Sequence, residues 1–250
     1  IQEFAKAVKI FTPRKYIAGP DVNTGEREMQ WFVEATGNWR SATGKPAKLC
    51  MLVFEKEGTK QQCGIPHEFG STGFGVAHST RVAAELLKLP IKGATVAIHG
   101  FGNVGSFTAK YLKAMGAKIV ATATKEEATY KGKKISHADF WKVPVDILIP
   151  ASVTDVINDS NKHDIKAKLI VEGANIPMRE EVEKELWKKG ICIVPDFVAN
   201  AGGVISSYAE YRGYNPKKMF DTVQRKIVAS TTKVLKESQR TKKNPRAVAL

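Results

Sequence analysis

The fold is decided by residues 94–123, ATVAIHGFGNVGSFTAKYLKAMGAKIVATA. The stretch opens with a short run of β-branched and aliphatic residues, which is typical of a buried strand. The glycine-rich sequence GFGNVG follows at once, then an amphipathic helical segment, then a second apolar run at residues 117–123. Strand, glycine-rich turn, helix and strand in this order are the pattern of a dinucleotide-binding βαβ unit.

Each glycine of the turn has a physical task in such a unit. Gly100 permits a tight turn, Gly102 lets the backbone approach a pyrophosphate, and Gly105 allows the helix to pack closely on the strand. The helix N-terminus adds unpaired N–H groups and the positive end of the helix dipole. The alternative is a glycine-rich turn that holds no ligand. The cofactor-binding residues predicted in this turn are Gly100, Phe101, Gly102, Asn103, Val104 and Gly105.

The rest of the sheet is indicated by three more apolar runs, VDILIP at residues 145–150, LIVEGA at 169–174 and ICIVP at 191–195. Near-continuous apolar strands that alternate with helical segments predict a parallel sheet covered on both faces. The predicted fold class is therefore α/β, a Rossmann-like doubly wound parallel sheet. The first predicted helix is capped by Ser71 or Thr72. The second runs from Val104 to Met115, and the third runs from Met178 to Lys189.

Composition sets the broad class of the protein. The chain has 250 residues, of which 43% are hydrophobic, and this apolar content excludes a disordered chain. No run approaches the roughly eighteen apolar residues of a membrane-spanning helix, and the charged N-terminus is not built like a signal peptide. We therefore expect a cytoplasmic protein with no membrane partner.

The cysteines and histidines give no sign of a bridged or metal-bound structure. Cys50, Cys63 and Cys192 form no C-x-x-C pair, and the five histidines are scattered without ligand spacing. Neither a disulfide framework nor a metal site is predicted.

Much of the formal net charge of +14 lies near the C-terminus, where residues 211–250 contain eleven Lys and Arg against two acids. A basic run of this kind can bind nucleic acid. Apolar residues from Phe220 to Val234, however, recur at helical spacing with lysines mainly on the other faces. We predict a docked helix with a solvated basic face, and no nucleic-acid partner.

The end of the second strand bears on the choice of coenzyme. An NAD site usually has a carboxylate about twenty residues beyond the glycines, which bonds the ribose 2′-hydroxyl. Thr124 and Lys125 stand there instead, so that a 2′-phosphate is not repelled and NADP is favoured. Glu126 and Glu127 keep NAD open, because a one-residue shift of the strand end would bring a carboxylate into the site.

Six motifs occur in an order that resembles one dehydrogenase family. They are GPDVNTGERE, GSTGFGVAHSTR, GFGNVG, DILIPAS, VEGAN and PDFVANAGGVISSY. The chain resembles the glutamate dehydrogenases of the glutamate/leucine/phenylalanine/valine dehydrogenase family over nearly its whole length. In that family an N-terminal domain drives oligomerisation, commonly to hexamers, and supplies much of the substrate site.

The resemblance implies roles for residues around the coenzyme. Thr72 and Asn103 match the pair that bonds the nicotinamide carboxamide, and Asn175 lies where the nicotinamide ribose is held. Ala151, directly after the third predicted strand, is expected in the same crevice because ligands gather at the carboxyl ends of parallel strands. For Thr72 the role of helix N-cap is compatible with this one.

The resemblance also implies a substrate site. Asp21 matches the catalytic aspartate that moves protons to and from the substrate amine. Val204 and Ser207 match residues of the amino-acid pocket, where a hydroxyl favours glutamate over branched or aromatic amino acids. The structural alternatives are a turn-capping carboxylate for Asp21 and a small helix-surface residue for Ser207.

The predicted organisation has three parts. Residues 1–65 are expected to be the remnant of an N-terminal substrate and oligomerisation domain, residues 66–205 the dinucleotide-binding domain, and residues 206–250 helices that close the cleft. The family's lysine-rich catalytic segments have no match in IQEFAKAVKIFTPRK, and we expect them upstream of Ile1. Two functions therefore remain open: a glutamate dehydrogenase, and a non-catalytic NADP(H)-binding module with a partner-binding basic helix.

Overall fold

The computed structural model describes residues 1–21, 23–55 and 58–250. They form two compact units. The first unit contains Ile1–Ser71 and Gly203–Val223, and the second unit contains Thr72–Gly202 and Gln224–Leu250.

Strands and helices alternate through most of the chain. The strands are β1 Cys50–Glu55, β2 Gly58–Cys63, β3 Thr95–His99, β4 Lys118–Ala123, β5 Ala128–Tyr130, β6 Lys133–Ile135, β7 Ile147–Pro150, β8 Leu169–Val171 and β9 Cys192–Val194. The helices are α1 Gln2–Val8, α2 Glu26–Thr36, α3 Ser71–Leu86, α4 Asn103–Ala114, α5 His137–Phe140, α6 Glu180–Lys188, α7 Asp196–Ala199, α8 Gly202–Tyr211, α9 Pro216–Thr241 and α10 Pro245–Ala249.

The second unit is built on a seven-stranded sheet in the order β6-β5-β4-β3-β7-β8-β9. The five strands from β4 to β9 in that order are parallel, and β5 and β6 add an antiparallel edge. The predicted Rossmann-like doubly wound sheet is thereby confirmed. Because β3 pairs with β4 on one side and β7 on the other, a crevice opens at the carboxyl end of β3, where such sheets bind ligands.

Both faces of this sheet are buried, which explains the near-continuous apolar runs. Ile98, Ile147 and Leu169 belong to one core cluster, and their neighbours Leu148 and Ile170 belong to the other. Successive residues of a strand point to opposite faces, so a strand covered on both sides needs an apolar residue at every position.

The sheet differs from the prediction at one edge and at two boundaries. The antiparallel pair β5 and β6 was not predicted, and its tight turn uses Lys131 and Gly132, which both have positive φ. These two strands lie at the edge of the sheet and bury few side chains, so their sequence is largely polar and lacks the apolar pattern that predicts a strand. The strand in the apolar run LIVEGA ends at Val171, three residues before the run does. The helix predicted from Met178 begins at Glu180.

The first unit has a smaller core. Phe32 and Met29 of α2 pack with Ala5 of α1 and with Ala18 and Ala42. Helix α2 ends at Gly37, which adopts the left-handed conformation that glycine accepts without strain.

The antiparallel pair β1 and β2 corrects the prediction about cysteines. Cys50 and Cys63 lie directly opposite each other in the register and form a disulfide. The expectation of no disulfide was wrong because the hairpin that makes the two residues neighbours was not recognised. Cys192 is free, and burial raises the pKa of its thiol to about 11.

The C-terminal basic segment forms helix α9 as expected. Val223, Ile227 and Thr231 are buried, and lysines such as Lys226 and Lys233 are exposed. Within residues 1–21, 23–55 and 58–250, no helix combines the length and apolar character needed to span a bilayer. The same described residues contain no group of three His, Cys, Asp or Glu side chains arranged to hold a metal ion.

Candidate cofactor site

Two glycines of the turn after β3 are required by close packing. Gly100 has φ 95°, and a Cβ there would lie 2.5 Å from the backbone nitrogen of Ser152. A Cβ on Gly105 would lie 1.9 Å from the carbonyl oxygen of Gly100. Neither position accepts a side chain, so these glycines hold β3, α4 and the loop after β7 together.

Gly102 differs from both, because a Cβ placed on it would meet nothing within 4 Å. It is the N-cap of α4, in extended backbone conformation, and it carries no capping side chain. The open space at Gly102 therefore lies before the first, unpaired N–H groups of the helix, where an anion is stabilised. This cradle fits a diphosphate.

The space is part of a cleft of about 580 Å³ at the carboxyl ends of β3, β4 and β7. Its lining residues are His99, Gly100, Phe101, Gly102, Ala123, Thr124, Lys125, Glu126, Ala151, Ser152 and Val153.

Six of the predicted cofactor residues line this cleft, namely Gly100, Phe101, Gly102, Thr124, Lys125 and Ala151. Asn103, Val104 and Gly105 form the first turn of α4 behind it. Thr72 is in the first turn of α3, and Asn175 is in the loop after β8. Asp21, Val204 and Ser207 belong to the first unit.

The starts of α3 and α4 lie side by side. A Cβ on Gly73 would be 2.7 Å from the carbonyl oxygen of Val104, and the Thr108 hydroxyl donates to the carbonyl of Gly73 at 3.3 Å. Thr72 directly precedes Gly73, and Asn103 directly precedes Val104. The structure therefore brings together the two helix starts to which the resemblance assigns the carboxamide.

His99 lines the cleft and was missed by the sequence reasoning. Its Nδ1 is 2.8 Å from the Ser152 hydroxyl, and its ring stacks on Trp141 at 4.6 Å. Burial, with a smaller effect of His137, lowers the pKa of His99 to about 4, so the ring is neutral at physiological pH. The signal in the sequence is a polar residue within the apolar run ATVAIH.

Thr124 organises the turn that follows β4. Its Oγ1 accepts hydrogen bonds from the backbone N–H groups of Glu126 and Glu127, both at 3.2 Å. The hydroxyl itself donates to the Glu126 carboxylate at 3.0 Å. Lys125 and Glu126 are both exposed on the lining of the cleft, so a cation and an anion are available near the expected ribose.

The loop after β8 packs against the loop after β7. The backbone N–H groups of Gly173 and Ala174 both donate to the carbonyl of Pro150 at 2.9 Å. Asn175 accepts a hydrogen bond on Oδ1 from Asn200 at 2.8 Å. Asn175 thus stands at the same edge of the sheet as the cleft, with one side of its amide already fixed.

Beneath this loop lies a buried group that we call the arginine cluster, defined as Arg246, Glu172, Glu183 and Asp196. The guanidinium reaches Glu172 at 2.7 Å, Glu183 at 2.5 Å and Asp196 at 3.0 Å. Burial, together with the charge of Glu183, raises the pKa of Glu172 to about 8. Three acids around one cation would leave excess negative charge, and a proton on Glu172 reduces it.

The first unit has its own buried ion pair, Lys45 with Glu210, which we call the lysine pair. Their side chains are 1% and 0% exposed, and Nζ is 2.6 Å from the carboxylate. Lys45 also donates to the carbonyl of Ala42 and lies 3.7 Å from the centre of the Trp39 ring. Burial lowers the pKa of Lys45 and raises that of Glu210, and each partner opposes the shift of the other.

The predicted substrate residues lie on exposed or half-buried parts of this unit. Asp21 is exposed at a turn in which Thr24 bonds its backbone N–H and carbonyl. Val204 is 76% exposed on α8, and Ser207 is half-buried on the same helix. Glu210, three residues after Ser207, also accepts the backbone N–H of Gly44 at 2.6 Å and so anchors that helix within the unit.

Known proteins share both sequence and fold with this chain. Glutamate dehydrogenase of Aeropyrum pernix is 40% identical in an alignment that covers 78% of this chain and 51% of the relative. NAD-specific glutamate dehydrogenase of Staphylococcus aureus is 32% identical in an alignment that covers 98% of this chain and 65% of the relative. NADP-specific glutamate dehydrogenase of Saccharolobus shibatae is 39% identical, covering 78% and 50%.

Solved structures agree on the fold. A hetero-hexameric glutamate dehydrogenase from Thermus thermophilus has a TM-score of 0.85 at 21% identity, with 99% of this chain and 64% of that chain covered. Glutamate dehydrogenase from Peptoniphilus asaccharolyticus has a TM-score of 0.76 at 28% identity, with 99% and 66% covered.

The chain spans about half the length of the archaeal relatives that it matches. The family model for Glutamate/Leucine/Phenylalanine/Valine dehydrogenase matches residues 63–132 and 122–250, which is well over half of the chain. The chain therefore belongs to the glutamate/leucine/phenylalanine/valine dehydrogenase family.

Proposed function

We propose that this chain carries mainly the coenzyme-binding part of a glutamate dehydrogenase that uses NADP, with NAD as the alternative. The observation that carries the proposal is the open cradle at Gly102, which lies before the N-terminus of α4 and inside the cleft. The relatives support the reaction, since all three named above are glutamate dehydrogenases, one NADP-specific and one NAD-specific.

When bound, the coenzyme supplies the hydride acceptor for oxidation of L-glutamate to 2-oxoglutarate and ammonium. The N–H groups at the start of α4 hold the diphosphate. Thr72 and Asn103 bond the carboxamide, and Asn175 holds the adjacent ribose. These contacts orient the ring, and such positioning accounts for much of the rate enhancement in transfer reactions.

The substrate residues complete the proposal. Asp21 moves protons to and from the substrate amine, as a general acid and base. Val204 and Ser207 line the amino-acid pocket, with the hydroxyl directed to the side-chain carboxylate of glutamate. Residues 1–65 belong to the domain that binds the substrate and forms the oligomer. Residues 66–205 bind the coenzyme, and residues 206–250 form helices that close the cleft.

The intact protein is proposed to act in the cytoplasm as a homo-oligomer, with small molecules as its substrates. The Cys50–Cys63 disulfide tests the compartment, because disulfides are rare where thiols are kept reduced. In a reducing cytoplasm this bridge should be open, so alkylation of cells before lysis should find both thiols free, and the bridge should form when the purified protein is oxidised. A protected pair would contradict the proposed location.

A coupled assay separates the enzyme from the non-catalytic alternative. The alternative has the same fold and the same cofactor site, so turnover is the property that distinguishes the two functions. When the chain is mixed with NADP⁺ and glutamate, we expect coenzyme binding with little or no formation of reduced nicotinamide, because the catalytic lysines have no match in residues 1–15. Ready turnover would contradict our account of those lysines. Restored turnover after addition of an N-terminal segment that supplies them would exclude the non-catalytic module.

The choice of coenzyme is tested at Lys125. Lys125→Ala should weaken NADPH binding and leave NADH binding nearly unchanged, because only NADPH carries the phosphate that the lysine attracts. Lys134→Ala, an exposed lysine outside the cleft, is the matched control. Equal loss for both coenzymes would show that Lys125 does not recognise the 2′-phosphate.

A further inference from the structure

The loop after β8 contains a residue in an unfavourable backbone conformation. Ile176 has φ 46°, in the left-handed region, and it is 46% exposed. A β-branched residue rarely adopts this conformation, since its Cβ is crowded by the backbone. The conformation must therefore be held by contacts outside the residue.

The contact that holds it is a carboxylate. The backbone N–H of Ile176 donates to Asp196 Oδ2 at 2.9 Å, and the other oxygen of Asp196 accepts from Arg246 Nη1 at 3.0 Å. Asp196 is 6% exposed, so these bonds act with little competition from water. Arg246 thus fixes the carboxylate that fixes Ile176.

Asp196 also positions Asn200, the residue that bonds the side chain of Asn175. Asp196 begins α7, and its carbonyl accepts the backbone N–H of Asn200 at 2.7 Å. The Asn200 side chain donates to Asn175 Oδ1 at 2.8 Å. Both the residue after Asn175 and the partner of its side chain therefore depend on where Asp196 is held.

We propose that Arg246 is a positioning residue that acts through Asp196 to present Asn175 to the nicotinamide half of the dinucleotide. Within the described part of the chain, Arg246 does not line the cleft, so its effect is indirect. The inference rests on the proposed function, since it needs a dinucleotide in the cleft. It adds a residue that no family motif quoted above contains.

The test compares a whole dinucleotide with its adenine half. Binding of NADPH and NADH, and of adenosine 2′,5′-bisphosphate and ADP, is measured by calorimetry on the full 250-residue chain and on Arg246→Lys. Lysine keeps the charge but lacks the planar fork that bonds several carboxylates. We expect dinucleotide binding about tenfold weaker and fragment binding within about twofold, as for loss of one charged hydrogen-bond relay.

Two variants serve as controls. Arg240→Lys, which changes an exposed arginine paired with Glu237, should alter neither affinity. Ile176→Asn should restore part of the dinucleotide affinity in the Arg246→Lys background, because asparagine tolerates the left-handed conformation without the clamp. Should Arg246→Lys not fold, Asp196→Asn breaks the same relay and leaves one buried charge fewer to be paired.

The outcomes distinguish the two proposals. If the unchanged chain binds dinucleotide and fragment, and the variant weakens both equally or neither, the positioning role is wrong while the proposed function stands. If the unchanged chain binds neither, the proposed function fails and the positioning role fails with it. Selective loss of the dinucleotide, with rescue by Ile176→Asn, is the expected result.

Discussion

The lysine pair and the arginine cluster solve the same problem in different ways. Both place charged groups in a protein interior, where an unpaired charge is costly. The lysine pair matches one cation with one anion, and both side chains are almost fully buried. The arginine cluster sets one cation against three carboxylates, and its arginine side chain is 17% exposed.

The two groups differ in how completely their buried charges are neutralised. In the lysine pair the two charges neutralise each other, so removal of either partner leaves the other buried without its counter-charge. In the arginine cluster a single guanidinium cannot neutralise three acids. Because the pKa of Glu172 is raised to about 8, this side chain holds a proton at neutral pH, which removes part of the excess negative charge. The first unit therefore has a structural anchor, and the second has a group whose stability depends on pH.

Loss of the lysine should have the largest effect. Lys45→Met leaves Glu210 buried without its cation, and we expect the free energy of unfolding to fall by about 3–5 kcal/mol in urea denaturation. Lys48→Met, an exposed neighbour, should change it by less than about 0.5 kcal/mol. Lys45→Met combined with Glu210→Gln should recover part of the loss. A single variant as stable as the control would show that the pair is dispensable.

Loss of the arginine should cost less and should depend on pH. Arg246→Met is expected to lower the free energy of unfolding by about 2–3 kcal/mol near pH 6, because Glu172 already holds a proton and the guanidinium is partly solvated. The loss should grow with pH as Glu172 ionises without its cation. Urea denaturation at a series of pH values measures it, and a loss that shrinks with rising pH would contradict the charge balance described for the cluster.

The smallest effect is expected from removal of one acid. The pKa of Glu172 is raised from 4.5 to about 8, so between these values the folded chain binds more protons than the unfolded chain. Its stabilising contribution is complete below about pH 4.5 and is lost as pH rises through about 8. Glu172→Gln removes this loss, so its Tm should exceed that of the unchanged chain by a few degrees above about pH 8, with little gain near pH 5.

The matched control for that variant is Glu181→Gln, an exposed position on α6. It should leave the Tm unchanged across the same range. A Tm of Glu172→Gln that falls below that of the unchanged chain at alkaline pH would mean that the Glu172 carboxylate is ionised and needed by Arg246.

The βαβ segment from β3 to β4 was predicted from the sequence because the residues that indicate it are close together in the chain. Strand, turn and helix each follow from residues within about thirty positions, as does the tight turn at Gly100. The hairpin of β1 and β2 was missed, and with it the Cys50–Cys63 bridge, because cross-strand neighbours are defined by a register that composition does not reveal.

The two ionic groups were missed for a related reason. Arg246 and Glu172 are 74 residues apart in sequence, and Lys45 and Glu210 are further apart still. Only the folded chain brings such partners together. The one local signal was a charged residue inside an apolar run, as in LIVEG, since such a residue must find a partner when the strand is buried.

The central claim is that the turn after β3 binds the diphosphate of a pyridine dinucleotide. Calorimetric titration of the chain with NADPH and NADH, beside Gly102→Val, tests it most directly. Because Gly102 has open space around it, the variant should lose no more than about 1 kcal/mol of unfolding free energy, the cost of a poorer N-cap residue, yet give no binding heat. Binding of neither dinucleotide by the unchanged chain, or equal binding by the variant, would contradict the claim.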